Sequence, residues 1–304
     1  MFKGFKKKYI KVKKGKVFCK IKGDGPPLLL LHGYPQTHLM WHKTAPILSK
    51  SFTVVVADLR GYGNSLVPKS DKRHINYSKR EMANDMKQLM VNLGFKKFFV
   101  AGHDRGGRVA HRLARDHRKN VLALSVLDIC PTLDMYELTT RDFAKAYFHW
   151  FFLIQPKWLP ERMIQSDPRK WMKNCLDKWS GNHKFGKVEE AYLKCFKDPK
   201  RIHASCEDYR ASATIDLDHD RQDRREKLNI PVQILWGASG VVGKQFKPLK
   251  IWQKYTNKKV EGSAVRSGHF IPEQNPKETV KKLSNFFFKI CLKLFQTKKI
   301  LVQN

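Results

Sequence analysis

Acidic residues are scarce in this chain. Its 304 residues include 27 Asp and Glu against 60 Lys and Arg, a net charge of +33 at pH 7. A positive field of that size suits nucleic acid or draws in anionic small molecules. The lysines run along the whole chain, however, and no recognised nucleic-acid module lies among them. The excess reads as lysine-rich composition laid over exposed positions, so no specific nucleic-acid or membrane partner is expected. Long hydrophobic runs are also missing: no apolar stretch approaches the ~18 residues of a membrane span. The basic segment Met1 to Lys16 has no apolar core, which argues against a signal peptide. Cysteine is thinly spread. Cys19, Cys130, Cys175, Cys195, Cys206 and Cys291 form no C-x-x-C pair and no zinc-finger spacing. That pattern predicts free thiols and a reducing, cytoplasmic setting, with no bound metal. Repeats and low-complexity linkers are absent. A hydrophobic content of 41% is ordinary for a globular protein, and the length can bury a large core.

Tyr9 to Ile21 alternates Lys with Val, Ile and Phe, and predicts two short strands. Gly23-Asp24-Gly25-Pro26-Pro27 is a turn. Leu28 to Leu31 and Phe52 to Ala57 are short apolar runs, suited to strands buried on both faces. Ser78-x-x-Glu81 is a capping box opening a helix to about Leu93, with Gly94 as its stop. Strands are predicted at Phe98 to Ala101 and Leu122 to Leu127, with a helical pattern at Val109 to Leu113 between them. Strands alternating with helices imply a mostly parallel central sheet flanked by helices. From about Thr132 to Arg224 the pattern changes to aromatic-rich helices. Strand signals return at Val232 to Trp236 and near Val260 to Val265, and Asn275-Pro276-x-Glu278 starts a last helix. The fold class is therefore α/β, with core segments 1–132 and 225–304. The helical segment 133–224 forms an inserted cap over the C-terminal edge of the sheet. The basic C-terminal extension, from about 289, mixes Ile290, Leu292, Leu294, Phe295 and Ile300 with lysines. It predicts a frayed continuation of the last helix, with a membrane-surface segment as the alternative.

Gly102-His103-Asp104-Arg105-Gly106 carries the chemistry. It has the frame of a nucleophile elbow, G-x-Nu-x-G, between a strand and a helix, with aspartate where serine is usual. A carboxylate there can attack an electrophilic carbon and leave an ester on the enzyme. The elbow would expose Asp104 above the sheet, at a helix N-terminus that favours its ionised form. The competing reading is an Asp that merely caps the helix. The flanking glycines and the strand before them favour the nucleophile. Arg105 and Arg108 lie three apart in the first turn and share a face, so two guanidinium forks would clamp a small carboxylate. Gly268-His269-Phe270 follows the last strand. The order is then nucleophile first and histidine last, with His269 as general base taking a proton from water. Trp236 to Gly243, after the penultimate strand, contains no carboxylate. By elimination and position, Asp128 would orient His269. The backbone N–H groups of Tyr34 and Arg105 would form an oxyanion hole, needed only once a tetrahedral intermediate forms on Asp104.

At these residues the sequence resembles the α/β-hydrolase superfamily, and within it the haloacetate (fluoroacetate) dehalogenases. The resemblance runs from about Leu28 to Phe288. It rests on His32-Gly33-Tyr34-Pro35-Gln36-Thr37, the elbow, Leu127-Asp128-Ile129 and Tyr147-Phe148-His149-Trp150. It continues through Cys206-Glu207-Asp208-Tyr209-Arg210, Trp236-Gly237-Ala238-Ser239-Gly240 and Ser267-Gly268-His269-Phe270. The resemblance implies an α/β-hydrolase fold, hydrolysis of haloacetates through an aspartyl ester, and no cofactor. It also implies that His149, Trp150 and Tyr209 hold the departing halide, as three N–H and O–H donors aimed at one anion. Read without it, His149 and Trp150 would belong to an aromatic core. Family members tend to pair as homodimers, though no interface signature is visible here. Tyr34 stands where Phe is commoner, Gly107 replaces a frequent Ala, and the extension beyond about Phe288 lies outside the pattern.

Two rival readings stand beside this one. An epoxide hydrolase would use the same aspartate and histidine. It needs two cap tyrosines, and usually an aromatic residue where Arg105 stands. A basic binding protein on an inactive hydrolase fold is opposed by the complete set of Asp104, Asp128 and His269.

Overall fold

A computed structural model describes residues 1–302, with side chains described for all of these except 295 and 297–302. Its strands are β1 (Lys6–Val12), β2 (Gly15–Lys22), β3 (Pro27–Leu31), β4 (Thr53–Ala57), β5 (Phe98–His103), β6 (Val121–Leu127), β7 (Val232–Gly237) and β8 (Glu261–Val265). They form one sheet in the order β1-β2-β4-β3-β5-β6-β7-β8. The β1–β2 and β2–β4 pairings are antiparallel, and every pairing from β4 to β8 is parallel. Leu28 to Leu31 and Val54 to Val56 are fully buried, as continuous apolar strands must be when both faces are covered. On β5, successive side chains leave opposite faces, and Phe99 and Val100 are both buried. Phe99 packs against Phe287 of the last helix, which also meets Phe52. Truncating such an aromatic to Ala costs about 3–5 kcal/mol. The outer strand β1 reads Lys-Lys-Lys-Tyr-Ile-Lys-Val and is mostly exposed. Lysines on an open strand edge discourage pairing with another chain.

The strand order turns back on itself at β3, which lies between β4 and β5. A crevice opens at such a switch point, beyond the carboxyl ends of the strands. The loops after β3 and β5 carry Tyr34 and Asp104 into it. Helices from Thr132–Glu137 to Ile215–Gln222 come between β6 and β7, and their aromatic residues close over this edge.

Several local expectations shift. The elbow helix begins at Arg105 and runs to Asp116, well before the apolar pattern at Val109. The capping box is half formed: Ser78 accepts from the Glu81 N–H at 3.3 Å, while the Glu81 carboxylate pairs with Lys14 at 3.3 Å. The Ser78 N–H is already taken by the Ile75 carbonyl. The last helix, Pro276–Val302, starts as predicted, with Asn275 Oδ1 accepting from the Glu278 N–H at 3.2 Å. It continues unbroken into the basic extension, where Leu292 is 63% exposed. The side chains of Phe295 and Ile300, and residues 303–304, named for that extension, lie outside the described residues. Among the described residues, no helix is long and apolar enough to cross a membrane, and the cysteines are free.

Candidate active site

Asp104 follows β5 directly, at φ 46° and ψ −116°. Few residues other than glycine adopt this conformation, and such outliers cluster where function demands them. The elbow closes only on glycine: a Cβ on Gly102 would run into the Gly106 carbonyl, and one on Gly106 into the His32 carbonyl. The side chain is not exposed above the sheet, as the sequence suggested. It is 6% exposed, because the helical segment covers it. Nor does it cap the helix that it heads. Instead Oδ2 accepts from the Tyr34 N–H at 2.9 Å. This donor therefore holds the carboxylate in the resting state, and not only after a tetrahedral intermediate has formed. The Arg105 N–H belongs to the first turn of the helix, where no intrahelical acceptor exists. Burial pushes the Asp104 carboxyl up, but His269, His103, Arg105 and Arg108 outweigh it, and the group stays below its ordinary value and ionised.

His269 Nδ1 lies 2.6 Å from Asp128 Oδ2. Asp128 comes directly after β6, at φ 54°, and its Oδ1 accepts from the Gly237 N–H at 2.9 Å. The last residue of β7 thus holds Asp128 with a backbone donor, and the loop that follows supplies no acid of its own. Burial opposes charge on His269. The hydrogen bond and charge of Asp128, then the charge of Asp104, outweigh burial and raise its pKa. The backbone of His269 is fixed from two sides: its N–H donates to the Trp179 carbonyl at 2.9 Å, and its carbonyl accepts from His103 Nε2 at 2.8 Å. Burial, then His269, pushes His103 down to about 3, so it remains a neutral donor.

The two arginines differ from the pair of open forks expected of them. Arg105 is engaged on one edge by Asp208: Nε to Oδ2 at 2.9 Å and Nη2 to Oδ1 at 2.7 Å. Nη2 also reaches the Asp208 carbonyl at 2.9 Å and Ser212 Oγ at 2.5 Å. Arg108 donates from Nη1 to the Cys130 carbonyl at 3.1 Å and Thr132 Oγ1 at 2.9 Å, with Nη2 at 3.2 Å from Met135 Sδ. What remains without a protein partner is Arg105 Nη1 and Arg108 Nε, both buried. The clamp is thus much narrower than two forks, because buried cations require counter-charges and acceptors of their own.

His149 and Tyr209 are brought together, and Trp150 is linked to them through Tyr147, whose ring meets both His149 and Trp150. The His149 ring lies 5.7 Å from that of Tyr209, and the Arg105 guanidinium sits 4.1 Å above the Tyr209 ring. The Arg108 guanidinium lies 4.6 Å above the indole of Trp150. His149 Nδ1 and the Tyr209 hydroxyl are buried without partners. Burial drives His149 well below its usual value, so the imidazole is neutral and carries one N–H. Each unsatisfied buried group costs about 1–3 kcal/mol. Such a group in a folded protein needs a reason, and a ligand is one. Tyr147 meets both His149 and His269 ring to ring, at 5.2 and 6.3 Å, and His149 meets Tyr209, so the four residues form one contiguous cluster.

Sequence reasoning missed several residues of this site. The Tyr147 hydroxyl lies 3.5 Å from His269 Nδ1. Trp179 packs 4.3 Å from the His149 ring. Tyr34 contributes its ring as well as its backbone, and Trp171 Nε1 donates to its hydroxyl at 2.6 Å. Asp208 is a further one, although it lies in a stretch already singled out. Glu273 ties the covering helices to the core: Tyr192 donates to its Oε1 at 2.8 Å, and Gln36 Nε2 donates to its Oε2. Burial pushes its carboxyl up from 4.5 to about 8. Among the described residues, no group of three or more His, Cys, Asp or Glu is placed to hold a metal ion.

The fold agrees with comparisons to known proteins. Residues 26–276 match the family model of the alpha/beta hydrolase fold. The chain is 41% identical to a fluoroacetate dehalogenase from Burkholderia sp, over 98% of this chain and 99% of that one. It is 34% identical to a soluble epoxide hydrolase from Corynebacterium sp. (strain C12), over 87% and 91%. Among solved structures it superposes on an α/β hydrolase from Nostoc sp PCC 7120 with a TM-score of 0.93. The identity there is 48%, with 94% of this chain and 99% of that one covered. A Pseudomonas aeruginosa protein called an epoxide hydrolase, solved as a point mutant with bound MFA, gives a TM-score of 0.90 at 40% identity, over 95% and 98%. The chain belongs to the α/β-hydrolase fold family and, within it, to the haloacetate dehalogenases.

Proposed function

We propose that this enzyme hydrolyses haloacetates, fluoroacetate or chloroacetate, to glycolate and halide through an ester on Asp104. One observation carries the reading: beside an ionised, buried aspartate stand buried donors that the protein leaves unpaired. Arg105 Nη1 and Arg108 Nε suit the substrate carboxylate, and His149 Nδ1 and the Tyr209 hydroxyl suit the leaving halide. Trp150, beneath Arg108, completes the halide set. With Oδ2 held by the Tyr34 N–H, Oδ1 is the oxygen that attacks the substrate carbon, opposite the carbon–halogen bond. The new C–O bond forms as the C–X bond breaks, and the halide departs with the bonding pair into the donor set. Donors placed for a charge that develops during reaction lower the barrier most, and fluoride, strongly hydrated in water, needs them most.

In the second step, water attacks the carbonyl carbon of the Asp104 ester. His269 Nε2 takes the proton, and Asp128 stabilises the imidazolium at Nδ1. The negative charge gathers on Oδ2, already at the Tyr34 N–H, and the intermediate collapses to glycolate and free Asp104. No cofactor takes part in this scheme, and the substrate is the only partner it needs. One turnover in ¹⁸O-water should place label in Asp104; label found only in glycolate would refute the ester route.

An epoxide-hydrolase reading is favoured by one feature, the buried hydroxyls of Tyr147 and Tyr209 near Asp104. Tyr147 lies against His269, however, and Arg105 follows the nucleophile where an epoxide site is usually aromatic. Halide release from fluoroacetate and chloroacetate, beside turnover of styrene oxide, decides between the two.

A further inference from the structure

Asp208 faces no reacting atom in the mechanism above, yet it is among the most heavily engaged carboxylates in the described structure. It is fully buried. Oδ2 accepts from Arg105 Nε at 2.9 Å and from the Tyr62 hydroxyl at 2.7 Å. Oδ1 accepts from Arg105 Nη2 at 2.7 Å and from Lys79 Nζ. Lys79 is itself buried, at the first turn of the helix Lys79–Asn92, and also faces Asp216 Oδ2 at 3.4 Å. Ser212 Oγ donates to the Asp208 carbonyl at 3.1 Å. The result is a chain of alternating charge: Arg105, Asp208, Lys79, Asp216. A buried arginine taken alone would be costly, and this chain removes most of that cost.

The geometry of the pairing matters as much as its charge. A guanidinium is planar, and its Nε–Nη2 edge matches a carboxylate in a two-bond fork. Once Asp208 holds that edge, the plane is set and Nη1 points away from it. Nη1 is the buried nitrogen without a partner. Arg105 is also the immediate neighbour of Asp104, and its charge already acts on that carboxylate. Without Asp208, the carboxylates left near Arg105 are Asp216, 3.4 Å from Ser212 Oγ, and the neighbouring Asp104 itself. An Arg105–Asp104 pair would both quench the attacking oxygen and withdraw the clamp from the substrate.

We propose that Asp208 is the positioning residue of the carboxylate clamp: it fixes Arg105 so that one N–H group meets the substrate, and keeps the guanidinium off Asp104. Asp208 precedes Tyr209 on the helix Pro199–Ala213, so one turn of helix sets both the carboxylate donor and a halide donor. The proposal rests on the haloacetate reading for the substrate's identity, but the clamp itself can be probed with acetate.

The test is the dissociation constant of acetate, followed through the fluorescence of Trp150 and Trp179 or by calorimetry. It is measured with the wild type, Asp208→Asn and Ser212→Ala. Turnover of chloroacetate is measured in parallel. Asp208→Asn is expected to weaken acetate at least tenfold and to raise KM for chloroacetate by a similar factor. Ser212→Ala, which removes a single contact to Nη2, is expected to weaken acetate two- to fivefold and serves if the first variant does not fold. A purely structural role would lower stability while leaving KM and acetate binding in place. Acetate affinity within twofold of wild type in a folded Asp208→Asn overturns the proposal, as does a wild type that binds no acetate. Acetate binding without halide release would instead overturn the haloacetate reading and leave the clamp standing.

Discussion

Replacing Asp128 by Asn separates the two chemical steps. Two contacts decide the outcome: the Gly237 N–H on Oδ1 at 2.9 Å and His269 Nδ1 at 2.6 Å from Oδ2. Asparagine keeps its carbonyl oxygen toward Gly237, because the reverse orientation sets donor against donor. Its NH₂ group then faces His269 Nδ1. The imidazole answers with the tautomer whose proton lies on Nε2. The nitrogen left for the attacking water has no free lone pair. Loss of the carboxylate in triads of this type costs about 10⁴ in rate, or about 5.5 kcal/mol at 1.36 kcal/mol per decade. The first step draws only on Asp104, the arginines and the halide donors, and should survive. Rapid-quench measurement with chloroacetate should therefore show a burst of halide equal to the enzyme present, followed by a steady rate about 10⁴-fold below wild type. Mass spectrometry should find the Asp104 peptide carrying a carboxymethyl group. A folded variant that turns over at the wild-type rate, or that releases no burst, would refute the assignment of Asp128.

Other outcomes follow from the same geometry. Hydrolysis needs neutral His269, whose pKa is raised, so the wild-type rate should fall with decreasing pH along a limb centred above the ordinary histidine value of about 6.5. A limb below that value contradicts the Asp128 pairing. Tyr209→Phe removes a buried hydroxyl without a partner. Its melting temperature should hold or rise while fluoride release drops roughly 10- to 100-fold, and unchanged release would remove Tyr209 from the halide site. The Glu273 carboxyl titrates at about 8 in the folded protein against an ordinary value of 4.5. Between those values the folded state holds the proton and the unfolded state does not, so stability falls as pH rises through the window, by up to about 1.4 kcal/mol per pH unit. Glu273→Gln does not titrate there. Its melting temperature relative to wild type should climb from about pH 5 to about pH 8, and a flat difference would show that Glu273 is not raised.

Features set by neighbours in sequence were the legible ones. Continuous apolar runs marked β3 and β4, because a strand buried on both faces leaves no polar alternation. The glycines around Asp104 and the strand before it marked the elbow, and the empty loop after β7 led to Asp128. The arginine clamp was only partly legible. Spacing placed Arg105 and Arg108 on one face, but long-range pairing decides which of their nitrogens remain open. Asp208 lies 103 residues from Arg105, and no periodicity in a chain this rich in lysine and arginine selects it. An acidic pair, Glu207-Asp208, beside Tyr209 was the available signal, and it does not say which acid turns inward. Exposure of Asp104 was misjudged for the same reason: it is 6% exposed under helices far along the chain, whose own patterns show only that they are aromatic.

Asp104 and Asp128 share a backbone peculiarity, each at positive φ immediately after a strand. Conformations of this kind cost a side-chain-bearing residue about 1–3 kcal/mol. Glycine would relieve that cost, so Asp104→Gly should melt above Asp104→Ala, the reverse of what either would do inside a helix. Both variants lose the carboxylate held by the Tyr34 N–H, so the gap between their melting temperatures isolates the backbone strain stored at position 104 from the contribution of the side chain.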